Sequence, residues 1–306
     1  MIEITLLGQT VNHYRYDHGA AVSIGGVEQP QVGPGGAAFT HRESRFNIGR
    51  RVTTFADLLK RIHDEVPEIA RLRFVTNYPR DFGDDILAAM AESPRICDYL
   101  HVPAQSGSDR LLKAMNREYT AGQYIEFIDR ARSYLPGAMF ASDFIVGFPT
   151  ETDEDFAATC ELVRRCRFKN SFIFKYSPRP GTIAIRKFAD DVPEQVKRLR
   201  NAELLRVQAD VSREVHESFV GKTVDVLIEG VSARARRRKE TVELRWEKPE
   251  HSAQLSGRTP GDLIVMLDGP PQWVGRIVPV TIASAAPLAL FGQLAQQPVL
   301  ASMTAE

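Results

Sequence analysis

Five times between residues 2 and 217 a short apolar run breaks on Gly, Ser, Gln, Pro or Arg and gives way to a helical pattern. The runs are Ile2–Leu7, Arg71–Thr76, Tyr99–Pro103, Met139–Val146 and Ser171–Tyr176. Continuous apolar runs of this length are what strands buried on both faces look like, and helices between them make the connections parallel. The helical stretches begin at Thr53 or Thr54 (Phe55, Leu58, Leu59, Ile62 and Val66 on one side) and continue over Asp84–Glu92, Asp109–Met115, Thr120–Tyr134, Asp153–Arg167 and Val192–Glu217. Strand–helix alternation with polar strand ends predicts a (β/α) barrel or partial barrel whose chemistry lies on the strand-end rim. A doubly wound open sheet is the alternative. The G-x-G-x-x-G phosphate signature is absent, which counts against a dinucleotide fold.

The sharpest example is DFIVGFPTE at Asp143–Glu151. An apolar run stops at Gly147 and Pro149, and acidic residues follow in the first turn of the next helix, where they suit the helix dipole. A Gly at such a strand end lets a flat ligand approach the backbone; equally, it serves a plain strand-to-helix turn.

After Phe219 the pattern changes. Lys222–Glu229, Thr241–Trp246, Asp262–Leu267 and Val274–Ile282 are short alternating segments separated by Gly and Pro. They predict a small antiparallel barrel of the oligonucleotide-binding kind over residues 218–284. Residues 285–306 are rich in Ala, Gln and Pro, with Glu306 the only charge, and read as a disordered tail. Residues 16–51 carry seven of the 21 glycines and no period, and read as a long, partly disordered loop.

The net charge is zero, but residues 161–200 hold eleven Lys/Arg against four Asp/Glu, and SARARRRK at Ser232–Lys239 is denser still. Two basic clusters beside a small β domain suggest nucleic acid. Trp246 and Trp273 are then stacking candidates, and Arg236, Arg237, Arg238 and Lys239 phosphate contacts. No apolar run approaches the ~18 residues of a membrane span, and the start lacks the features of a signal peptide. Three cysteines, Cys97, Cys160 and Cys166, form neither a disulfide framework nor a metal-binding run and read as buried thiols, so the expected location is the cytoplasm.

Several stretches then converge. LLGQTVN at 6–12, TNYPRDF at 76–82, HVPAQSGS at 101–108 with Met115-Asn116-Arg117 and Tyr119-Thr120, DFIVGFPTET at 143–152 and YSPRPGT at 176–182 follow one another in this order. In that order they resemble the C-terminal two-thirds of a MiaB-type tRNA methylthiotransferase. This is a radical S-adenosylmethionine (SAM) family that adds a methylthio group to C2 of N6-isopentenyladenosine at tRNA position 37. The resemblance covers residues 2–14 and 52–284. It implies a partial (β/α) radical-SAM-type barrel lacking its first strand (residues 1–217), then a TRAM module that binds RNA. QSGS and YSPRPGT favour the tRNA branch over the ribosomal-protein branch; the threonylcarbamoyl-adenosine branch stays open.

The resemblance also implies roles. Gln105, Ser106 and Ser108 would meet the amino-acid and ribose parts of SAM, and Asp143 with the Ile145–Phe148 backbone, Gly147 included, its adenine. Arg117 and Arg179 suit a SAM carboxylate or an RNA phosphate. Two departures matter: Asn77-Tyr78 stands where the family has Ser-His, and Thr150 where it has Gly. The N-terminal cluster domain and the C-x3-C-x2-C segment have no counterpart, so neither 4Fe–4S cluster of the intact family can be built from this chain's cysteines. The expectation is an N-terminally truncated methylthiotransferase, inactive alone. The alternatives are a non-catalytic tRNA-binding protein and one half of a split enzyme whose iron–sulfur half is another chain.

Overall fold

A computed structural model describes residues 2–17, 21–24, 27–30, 52–232 and 253–295. In chain order the elements are β1 (Glu3–Leu6), β2 (Arg15–Asp17), β3 (Ala21–Ile24), β4 (Val27–Pro30), β5 (Val52–Thr54), α1 (Phe55–Glu65), β6 (Arg71–Phe74), α2 (Asp84–Glu92) and β7 (Tyr99–His101). Then come α3 (Asp109–Ala114), α4 (Ala121–Tyr134), β8 (Met139–Val146), α5 (Asp153–Cys166), β9 (Asn170–Lys175), α6 (Ile183–Lys187) and α7 (Glu194–Glu217). The last five strands are β10 (Thr223–Val231), β11 (Ala253–Arg258), β12 (Ile264–Gly269), β13 (Ile277–Ala286) and β14 (Ala289–Leu294). The chain divides into two compact units, Met1–Pro103 with Gly122–Ala138, and Ala104–Ala121 with Met139–Glu306.

In the first unit β1 pairs with β6 in parallel, Glu3 opposite Arg71 and Leu6 opposite Phe74. The strand faces divide by chemistry. Leu72 and Phe74 meet an aromatic layer in which Phe74 packs edge-on to Phe55, 5.1 Å between centroids, and against Phe82, itself 5.3 Å from Phe127. Arg71 and Arg73 alternate to the other face, where Arg73 reaches Glu3 at 3.3 Å and lies over Tyr99. Helix α1 begins with a reciprocal cap, the Thr54 hydroxyl accepting from Asp57 N–H while the Asp57 carboxylate accepts from Thr54 N–H. At the edges of the stretch read as a loop β2 pairs antiparallel with β5, and within it β3 pairs antiparallel with β4.

In the second unit β8 and β9 are parallel, Asp143 opposite Phe172 and Ile145 opposite Phe174. Helix α7 lies against α5, β9 and β13, burying Leu204, Val207, Val211 and Val215. Its polar face is tied down as well: Gln208 Nε2 donates to Phe168 O at 2.9 Å and Ser212 Oγ to Lys169 O at 2.8 Å. Strands β10–β14 close into a barrel in the order β10-β11-β12-β14-β13. Val226, Ile228, Leu255, Val265, Leu267, Val280 and Ile282, at alternate positions on their strands, fill it together with Leu290. Two expectations change here. Strand β14 lies in the stretch read as a disordered tail; its Leu290 is fully buried, and it closes the barrel by pairing in parallel with β12. The segment Ala253–Arg258 is also a strand, one whose small and polar residues hide its alternation. The expected strand at 241–246 lies outside the described residues.

Candidate functional site

The rim of β8 gathers most of the residues singled out by the sequence, all in the second unit. Gln105 extends the sheet by one rung: its N–H donates to Asp143 O at 2.8 Å and its carbonyl accepts from Ile145 N–H at 3.0 Å. It does so with φ +70°, a conformation that costs a non-glycine residue and tends to persist where function demands it. Its carboxamide makes no hydrogen bond within the described residues, whereas the hydroxyls around it are all engaged. Ser106 Oγ sits 3.3 Å from Thr159 Oγ1 and accepts from Ser108 N–H. Ser108 Oγ donates to Asp155 at 2.5 Å and accepts from Leu111 N–H, capping α3. Gly107 lies so close to α5 that a Cβ would stand 2.3 Å from Ala158 O. Ser106, Gly107 and Ser108 therefore cement the loop onto α5.

Asp155 is the hub of that cement. Besides Ser108 it holds Arg110, and it accepts from Thr152 N–H in the α5 capping box. Burial opposes its charge, but these donors outweigh burial and hold its carboxyl well below the usual range. The T-x-x-D spacing at Thr152–Asp155 is the sequence signal for this hub.

At the end of β8, Gly147 has φ +70° and donates its N–H to Glu151 Oε2 at 2.7 Å. A Cβ there would stand 2.3 Å from Lys197 Cγ, so the glycine makes room for α7. Glu151 is buried; burial raises its pKa, against the Gly147 N–H and Arg200, whose Nη1 reaches it at 2.8 Å. Sequence reading missed Arg200, because one arginine on a mixed-charge helix carries no distinguishing signal. Asp143 and Ile145 share a sheet face with Phe172 and Phe174, whose rings are 52% and 57% exposed. Tyr176 N–H donates to Val146 O, so the segment carrying exposed Arg179 leaves from the same rim. Arg117 follows α3; its Nε is buried without a partner, and Tyr119, two residues on, donates to Ala104 O at 3.1 Å. The rim thus brings together Gln105, Asp143, Ile145 and Gly147, with Arg117 and Arg179 on segments tied back to it.

Other candidates fall elsewhere. Arg236, Arg237, Arg238, Lys239 and Trp246 lie outside the described residues. Trp273 packs against the small barrel's core. Cys97, Cys160 and Cys166 are all buried, and none forms a disulfide among the described residues. Burial pushes the Cys97 thiol up to about 11 and raises that of Cys160, the opposite of what a thiolate ligand needs. These cysteines do not fit an iron–sulfur cluster, and no His/Cys/Asp/Glu group among the described residues could hold a metal ion. The rim's side chains, a carboxamide, a guanidinium and two exposed phenylalanines, are of the chemical kinds that a zwitterion and a flat ring need. Among the described residues no helix is long and apolar enough to cross a membrane.

Two family models match the chain. Residues 42–163 match the Radical SAM superfamily, and residues 217–295 match the TRAM domain, β14 included. The chain is 42% identical over 96% of its length to the tRNA-2-methylthio-N(6)-dimethylallyladenosine synthase of Rhodopirellula baltica, covering 53% of that protein. Proteins of the same name from Acidithiobacillus ferrooxidans and Porphyromonas gingivalis are 39% and 36% identical over 96% and 97% of the chain, each covered to 54%. The chain thus spans about half the length of the curated relatives it matches. Among solved structures it is similar to coproporphyrinogen III oxidase (HemN) from Escherichia coli, with TM-score 0.42 and 20% identity over 54% of this chain and 38% of that one.

Proposed function

The chain belongs to the radical SAM methylthiotransferase family whose members end in a TRAM domain, and from that premise we propose that it acts on tRNA in the cytoplasm. It would supply the SAM-facing rim and the RNA-gripping barrel for methylthiolation of N6-isopentenyladenosine at position 37. The observation that carries this reading is the 42% identity over 96% of the chain to a protein named for that reaction. In the family, SAM beside an iron–sulfur cluster is the source of the radical that attacks the adenine. This chain's cysteines do not fit the cluster, so its own contribution is binding. The Gln105 carboxamide and Arg117 Nε would hold the amino-acid end of SAM, Asp143 and Ile145 would border its adenine, and Arg179 would meet RNA phosphate.

One observation favours a second reading. The Ser106 and Ser108 hydroxyls are engaged within the fold, which leaves fewer groups for SAM than the motif suggests. A chain that binds tRNA without SAM would look like this. Equilibrium dialysis of the full chain with S-adenosylhomocysteine, beside filter binding with unmodified tRNA, separates the two. Saturable binding of both, with nucleoside affinity falling at least tenfold in the Gln105→Ala, Asp143→Ala double variant, is the expected result. Retained tRNA binding with no nucleoside binding would establish the second reading, and binding of neither would remove both.

A further inference from the structure

At the carboxyl ends of β1 and β6, within the first unit, two loops are locked to each other by a reciprocal pair. Asn12 Nδ2 donates to Tyr78 O at 3.0 Å, and Tyr78 N–H donates to Asn12 Oδ1 at 2.8 Å. Val11 N–H adds a bond to Thr76 O, and Thr76 takes φ +69°, strained for a β-branched residue. On this base Asp81 orients two side chains. Its carboxylate meets His13 Nε2 at 2.8 Å and takes Arg80 in a fork, at 2.8 and 3.1 Å. Both then sit against Tyr78, the Arg80 guanidinium 5.5 Å from the ring centroid and the His13 ring 5.9 Å away at 73°. The His13 and Arg80 side chains are 48% and 45% exposed.

A half-buried aromatic ring, an exposed imidazole and an exposed planar guanidinium lie together here, on loops joined by part-buried hydrogen bonds. They are what stacking and phosphate contact with a splayed nucleotide require. We infer that the joined loops carrying His13, Tyr78 and Arg80 form a platform for an unpaired ribonucleotide, a second RNA contact separate from the TRAM barrel. The inference rests on the tRNA reading above. The platform uses Tyr78, where the family pattern has His.

The test uses the full chain, a stem-loop RNA with a seven-nucleotide unpaired loop, and a fully paired RNA of the same length. Tyr78→Leu should weaken stem-loop binding about tenfold, as the loss of one stacked base does, and leave the paired RNA unaffected. Arg80→Gln should weaken binding and flatten its salt dependence by about 0.7 in log–log slope, one phosphate contact. Independently of how the variants fold, a stem-loop with 4-thiouridine in the loop should cross-link the wild-type chain at residues 77–82. A wild-type chain with no saturable RNA binding would overturn both this inference and the tRNA reading. RNA binding indifferent to both substitutions, or cross-links confined to other segments, would overturn this inference alone.

Discussion

The Lys169 ammonium bridges to Asp262, donating to its carboxylate at 2.6 Å and to its backbone carbonyl. Lys169 stands just ahead of β9 and Asp262 just ahead of β12, so a buried ion pair fastens the small barrel to the parallel sheet within the second unit. Asp262 also accepts from Arg258 at 2.7 Å, and its φ of +60° aims the carbonyl. Lys169→Met takes away one of the two cations on Asp262 and leaves Arg258, so it should cost about 1–2 kcal/mol in urea denaturation, the loss of charge-assisted hydrogen bonds. The partly buried Phe219 and Met139 pack on the same barrel core, so a fragment beginning at residue 223 should unfold at a lower temperature than the barrel in the full chain. Equal stability of variant and wild type would show that the pair is not a fastener.

Asp155 predicts how the chain responds to acid. Its folded pKa is depressed, so the stability it contributes is present above the ordinary aspartate value of about 3.9 and is lost as pH falls below it. Asp155→Asn removes the charge that holds Arg110 and Ser108 and should cost about 1–2 kcal/mol at pH 7. The variant should also show a flatter loss of stability between pH 5 and 3 (about the titration range of an unfolded aspartate). Thermal melts across that range check both, and parallel curves for the two proteins would contradict the assignment.

Gly147 and Lys197 make a prediction that only a cycle can test. Gly147→Ala places a Cβ on Lys197 Cγ at a residue with φ +70°, and should destabilise by about 2 kcal/mol. Lys197→Ala opens the space while giving up the Asp190 bond at 2.5 Å. The double variant should be less destabilised than the sum of the singles, because one lesion makes room for the other. Strict additivity would mean that backbone strain alone explains the glycine.

Strand and helix positions in residues 52–217 were legible because each buried element announces itself by period. Asp84–Glu92 and Met139–Val146 match the sequence reading residue for residue. The barrel's last strand was not legible, since Ala289–Leu294 follows a Pro and carries small and amide residues that mimic a tail. Within the candidate site, motifs single out loops but not which of their atoms remain available. Ser106 and Ser108 look in sequence like ligand donors, and only the position of α5 shows their hydroxyls engaged. The pairing of Arg200 with Glu151 spans 49 residues, a separation on which periodicity is silent.

Gln105 carries the last prediction. Its backbone is strained while its side chain makes no hydrogen bond within the described residues, so stability and binding should separate there. Gln105→Gly relieves the positive φ but loosens the unfolded chain, and the two effects oppose each other; Gln105→Ala keeps the strain and removes only the carboxamide. Gln105→Gly should therefore melt at or slightly above the wild-type temperature, by up to about 1 kcal/mol, and Gln105→Ala at or slightly below it. Both should lose S-adenosylhomocysteine affinity to a similar extent in equilibrium dialysis, because both lack the group that would meet the ligand. If Gln105→Gly instead destabilises strongly and binding follows stability across the two variants, Gln105 acts as a rung of the sheet and its carboxamide has no part in the site.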